Sequence, residues 1–186
     1  MRKHLALALA FALFLSPMVA WATSTQWTLP GTAITFADSG GTVTMAFSAK
    51  ASGGGQTSAL SDLGAGAHVS LFQAQCSISL TGTNVVGQGL EYYVVTSQDG
   101  ATLDGGVTAN AAWATSDKRR NLTWIGTLVV DQVTTNTTMI ATFRNIYLPA
   151  RYFALGFFNG SALPVETSTT KHKCVFTPMP IQMQNT

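Results

Sequence analysis

Charge is the scarcest property of this 186-residue chain: 10 Lys and Arg stand against 8 Asp and Glu, so charged residues make up only 10%. Arg2 and Lys3 lie in the first 22 positions, and the rest carries eight charges of each sign, a formal charge of zero. A neutral body lacks the excess of Lys and Arg that holds a protein on a nucleic-acid backbone, so no nucleic acid is expected as a partner. Histidine and cysteine are equally sparse. Three His and two Cys, with no Cys-x-x-Cys pair and no His cluster, argue against zinc and dithiol redox sites. The long Lys and Glu side chains that favour helices are few, and no long helix stands out.

Long apolar runs are confined to one place. Residues 1–22 hold 17 hydrophobic residues and carry the mean hydropathy up to +0.23, whereas the rest holds about 42%, an ordinary globular share. Arg2-Lys3-His4, the run Leu5 to Leu15, the break at Ser16-Pro17 and the small-x-small site Ala20-Trp21-Ala22 read as an export signal. Eleven uninterrupted apolar residues fall short of the roughly 20 that span a bilayer, so no stable membrane span is expected. The alternative is a start at Met18, in which case the first 17 residues are not made. Residues 23–186 suit a single domain, large enough to bury roughly 68–70% of its unfolded surface.

That domain is rich in threonine, whose β-branched side chain fits a pleated, half-exposed surface. Val43, Met45 and Phe47 alternate with Thr44, Ala46 and Ser48, and Phe72, Ala74, Cys76, Ile78 and Leu80 alternate with Gln73, Gln75, Ser77 and Ser79. A period of two over nine residues is a half-buried strand. Further runs at Trp27 to Phe36, Leu90 to Ser97, Leu122 to Val133, Thr138 to Leu148, Tyr152 to Phe158 and Lys173 to Pro178 alternate less cleanly, as strands covered on both faces do. Glycine turns separate them, among them Gly53-Gly54-Gly55, Asp104-Gly105-Gly106 and Asn159-Gly160. The expected fold is all-β: an antiparallel β-sandwich, jelly-roll-like, of about eight strands, with at most one short helix near Thr108 to Arg120.

No motif dictates a chemistry. Cys76 and Cys174 form a candidate disulfide if the protein is exported, closing a long loop worth about 4–5 kcal/mol on the chain-entropy account; two buried thiols are the alternative. His172, between Lys171 and Lys173, reads as an exposed strand end, and His68 has no partner in sequence. Glu91 reads as outward-facing beside Tyr93. A glycosidase needs two acids at a set distance, and Asp99, Asp104, Asp117, Asp131 and Glu166 all sit near turns with no basis for choosing. Asp99 to Gly105 lacks the acid spacing of a calcium loop, and turn chemistry explains both Asp-Gly pairs. Ser168 to Lys171 matches Ser-x-x-Lys without its partner motifs. Lys118-Arg119-Arg120 reads as a solvated turn, and the sequons at Asn121, Asn136 and Asn159 are expected by chance in a Thr-rich chain. The aromatics are numerous: Tyr92, Tyr93, Trp113, Trp124, Tyr147, Tyr152, Phe153, Phe157 and Phe158 serve the core or, in part, an exposed patch for assembly or sugar stacking. No catalytic residue, metal site or cofactor is implied.

The order of short signatures resembles a family of small β-rich virion structural proteins of tailed bacteriophages and prophages, described as head-decoration, tail or fibre-associated. The residues that carry it are Trp27-Thr28-Leu29-Pro30-Gly31-Thr32-Ala33, Asp62-Leu63-Gly64-Ala65, Leu90 to Ser97 with Asp104-Gly105-Gly106-Val107, Leu122 to Val130, Leu148-Pro149-Ala150-Arg151-Tyr152 and Val175-Phe176-Thr177-Pro178. The resemblance implies a non-enzymatic protein of the virion, binding other virion proteins and forming a homo-oligomer. The export-like segment departs from the family pattern; a start at Met18 would restore it. The competing expectation is an exported, periplasmic or extracellular adhesive or carbohydrate-binding module that meets a cell-surface glycan.

Overall fold

The computed structural model describes residues 31–65, 69–113, 115–131, 133 and 135–179. The export-like segment 1–22, Trp27 to Pro30 and His68 lie outside the described residues. The alternating runs become strands: β1 Ile34–Ala37, β2 Val43–Thr44, β3 Gly55–Thr57, β4 Ser61–Asp62, β5 Leu71–Ser79, β6 Gly89–Ser97, β7 Thr123–Val129, β8 Thr138–Tyr147, β9 Tyr152–Asn159 and β10 Lys173–Pro178. One sheet runs β2-β1-β10-β5-β8 and the other β3-β9-β6-β7, with β4 also on β9. Every pairing is antiparallel except β1 with β2.

This order is a jelly roll. With β3 and β4 counted as two pieces of one strand and β2 set aside, the first sheet takes the first, eighth, third and sixth strands and the second takes the second, seventh, fourth and fifth. Two interlocked Greek keys produce that arrangement. Ten strands stand where about eight were expected because β3 and β4, which read as turns, each catch a few ladder bonds on β9. The short helix expected near Thr108 to Arg120 survives only as a 3-10 turn, Ser116–Asn121. Upstream of it Asn110 adopts a φ of 51° and Ala112 bridges to Gln56, both incompatible with a helix.

Between the sheets lies a core of phenylalanine. Phe36, Phe72 and Phe176 on three adjacent strands of the first sheet meet Phe153 of the second, with ring centroids 5.4–6.5 Å apart. Cys76 on β5 and Cys174 on β10 are register partners in the same buried layer, and their sulfurs are bonded. The outer face of the first sheet presents Gln75, Thr142, Lys173 and Thr177 to solvent.

The second sheet is covered on both sides, which explains its unbroken burial in β9. Its outer face is capped by the segment between β6 and β7, whose Leu103, Val107, Ala109, Trp113 and Leu122 pack on Val95 and Ala154 as a second small core. Trp113 needs a bare seat: a Cβ on Gly55 would fall 2.0 Å from its ring and one on Gly156 3.2 Å. Its indole N–H donates to Thr57 Oγ1 at 2.7 Å, and its ring stacks on Phe158 with 6.2 Å between centroids.

Two outcomes follow. Gly55→Ala forces Trp113 off its seat and should lower stability by about 1–3 kcal/mol in urea unfolding, as overpacking does. Replacing Cys76 and Cys174 together by Ala should cost about 2–5 kcal/mol, and adding reductant under native conditions should cost nothing while the bridge stays buried.

Candidate functional site

All but one of the acids that sequence offered as candidates are absorbed into the scaffold, the exception being the exposed Asp131. Asp99 is held well below the usual carboxylate range by the backbone N–H groups of Thr102 and Ala101 and by the Ser97 hydroxyl, which makes it the cap of its own turn. Asp104 accepts from Thr96 at 2.5 Å, Asp117 pairs with Arg120, and Asp62 takes both arms of Arg151. Glu166 is lowered first by Lys171, at 2.8 Å. Glu91 does face outward, accepting the Tyr93 hydroxyl and Arg119 at 3.1 Å. Burial and then that hydrogen bond push the Tyr93 phenol above its ordinary range.

His172 is not the exposed strand end expected: it is 1% exposed. Its Nδ1 accepts the Ser79 N–H and its Nε2 lies 2.9 Å from the Glu166 carbonyl, so Nε2 carries the proton and donates. The Lys118-Arg119-Arg120 run is also less open than a solvated turn. Lys118 donates to the Gly106 carbonyl, and the Arg119 guanidinium lies 4.4 Å over the Phe158 ring. Asn159 is buried with its amide on Lys50 and Leu163 carbonyls, which closes that sequon to glycosylation in the folded state. Among the described residues no three His, Cys, Asp or Glu gather as a metal site, and no helix is long and apolar enough to cross a membrane.

What remains open is the side where β7 and β8 end their sheets. A bulge interrupts each at the same level. On β7, Tyr92 and Tyr93 oppose Gly126 and Trp124, so Ile125 is the extra residue. On β8, Phe72 and Ala74 oppose Ile146 and Phe143, so Arg144 and Asn145 together face Gln73, with Asn145 at a φ of 58°. Regular alternation would have sent Trp124 inward with Gly126 and Asn145 inward with Phe143. The bulges turn both outward and return Ile146 and Leu148 to the core.

Phe143 crosses this seam from β8 and rests against β7 at Gly126, where a Cβ would lie 2.2 Å from its ring. The contact divides the seam in two. At one end a cleft of about 400 Å³ is walled by Trp124, Ile125 and Thr123 on one side and by Arg144, Asn145 and Tyr147 on the other, with Val94 at its base. Its lining carries one charge, Arg144, and no acid, histidine or cysteine. At the other end a cleft of about 280 Å³ lies between Val129, Asp131 and Ile140, and around it Val85, Val86 and Val133 are also exposed.

Of the aromatic set that sequence offered for the core or an exposed patch, Trp113 and Tyr93 are packed onto the sheet. Among the described residues the rings more than half exposed are Trp124, at 59%, and Tyr147, at 64%. Both belonged to the aromatic set, but only the bulges reveal which ones face out.

The lowered pKa of Asp99 fixes a sign. A carboxylate depressed in the folded state contributes fully above its unfolded value near 4 and loses its contribution as pH falls through the folded value. Asp99→Asn should therefore lower the unfolding midpoint at pH 7 and leave it less sensitive to acid below about pH 4, measured by thermal unfolding across pH.

No family model, no curated protein and no solved structure matches the chain.

Proposed function

We propose that this chain is a non-enzymatic structural protein of a tailed-phage virion, a head-decoration or tail/fibre-associated component that acts through protein–protein assembly. The observation that supports the reading most is the placement of exposed apolar surface. Among the described residues five of the seven large exposed hydrophobics lie on β7, β8 or the turn that joins them, and the other two, Val85 and Val86, lie on the β5–β6 loop, which bonds back to Val130. β7 and β8 are the two edge strands of that side, seven and ten residues long, and Arg144 is their one charge. Free-standing proteins guard such edges with Lys or Pro, because an unguarded edge recruits another strand. An edge intended for a neighbour needs no guard.

The Val129, Val133 and Ile140 end is the assembly surface in this reading, buried against another virion protein or a second copy in a closed symmetric ring. The candidate acids other than Asp131 are occupied by structural partners, which fits a protein without a reaction to perform. The buried Cys76–Cys174 bridge suits a particle that must survive outside a cell.

Mass spectrometry of purified particles should find the chain in stoichiometric amount, and its absence from every particle fraction would sink the proposal. Ile140→Asp, at a side chain 64% exposed, should leave the unfolding midpoint unchanged. It should lower particle occupancy roughly tenfold or more, because the interface would have to bury an unpaired charge.

A further inference from the structure

The cleft at the other end of the seam has a chemistry of its own, and we infer that it binds an acidic saccharide, with a sugar ring stacked on Trp124 and a carboxylate held by Arg144. The inference holds whether the protein sits on a particle or is exported, since the cleft and the valine end are separated by Phe143 on Gly126.

Three features converge. First, two large rings, Trp124 from β7 and Tyr147 from β8, stand more than half exposed in the lining of one concave site, where the hydrophobic effect would otherwise favour burying them. An aromatic face offered to solvent from a rigid strand suits the apolar C–H face of a pyranose, and Tyr147 adds a hydroxyl. Second, the Trp124 indole N–H is taken by Thr127 Oγ1 and the Thr96 hydroxyl by Asp104, but two polar groups of the β8 wall are unspent. Lys50, Lys118, Arg119, Arg120, Arg151 and Lys171 each hold a protein partner. The Arg144 guanidinium has none among the described residues, nor does the Asn145 amide. A guanidinium presents its donors as a planar fork that matches a carboxylate. With no acid in the lining, nothing in the cleft competes with an anionic ligand or repels it.

Third, the outward turn of these residues is built into the backbone. Two bulges at one level, one holding Asn145 at a φ of 58°, move Trp124 and Asn145 from positions that alternation assigns to the core. Such a backbone carries a local cost that a plain edge strand avoids, and bulges recur where a side chain must be re-aimed at a site. The volume, about 400 Å³, lies within the range of small-molecule sites and admits one or two sugar units rather than a polymer in cross-section. An apolar peptide would use the rings but leave Arg144 and Asn145 idle.

The test is titration of the full chain with an oligogalacturonate tetramer and, in parallel, with a neutral galacto-oligosaccharide of the same length, followed by calorimetry. The acidic probe should bind roughly tenfold or more tightly than the neutral one, and its affinity should fall as salt rises. Trp124→Ala should abolish binding of both. Arg144→Gln should remove the preference for the acidic probe while retaining weak binding of either. Both side chains are exposed, and an unchanged unfolding midpoint verifies that the variants fold. No binding of either probe at millimolar concentration would overturn the inference, and so would equal affinities unaltered by Arg144→Gln, or binding that survives Trp124→Ala. Particle proteomics is read independently, so either result can fail without the other.

Discussion

Two sheets stay face to face only where the side chains between them fill the gap, and in this protein phenylalanine fills it. Phe36, Phe72 and Phe176 are spread over β1, β5 and β10, so one ring from the opposite sheet, Phe153, touches three strands at once. Edge and tilted contacts among rings contribute beyond their buried area, by about 0.5–1.5 kcal/mol for a pair. That cluster sits toward the β1 side, and two clefts lie along the β7–β8 side. The single ring that crosses there, Phe143, needs a glycine opposite it.

The same economy governs the outer face of the second sheet. A jelly roll has two outward faces, and a chain with few charges cannot solvate both. Thr, Gln and Ser do so on the first sheet. On the second, the segment between β6 and β7 folds over as a partial third layer, and Gly55 and Gly156 bare the backbone so that Trp113 can lie flat against it. Arg119 closes the stack on Phe158 while neutralising Glu91, so the basic run and the β6 carboxylate, which look functional apart, complete one structural unit.

Much of the architecture is legible in the sequence because period-two alternation is a local signal. β5 and β10 begin and end within a residue of where their apolar alternation does, and the jelly-roll order follows from eight strands with no room for crossover helices. The two pieces β3 and β4 were illegible, since two- and three-residue ladders carry no period. The cleft was illegible for a deeper reason. Its residues are defined by where alternation fails, at Ile125 and at Arg144-Asn145, and a bulge leaves no mark in composition unless a glycine announces it. His172 was misplaced because its lysine neighbours point outward while the ring between them turns in, to serve two backbone groups.

The position of β10 has a consequence for how the protein is made. The last strand of the described fold does not finish an edge; it slots between β1 and β5, in the middle of its sheet. A ribosome delivering residues in order therefore exposes the first strand and the fifth long before the piece that joins them has left the tunnel, and the sheet waits with a gap at its centre. Only when Cys174 emerges opposite Cys76 can the first sheet's ladder be completed and the sulfurs meet. Nascent chains halted short of that point are left not as smaller versions of the protein but as two half-sheets with adhesive inner edges, a state that a chaperone would have to shelter.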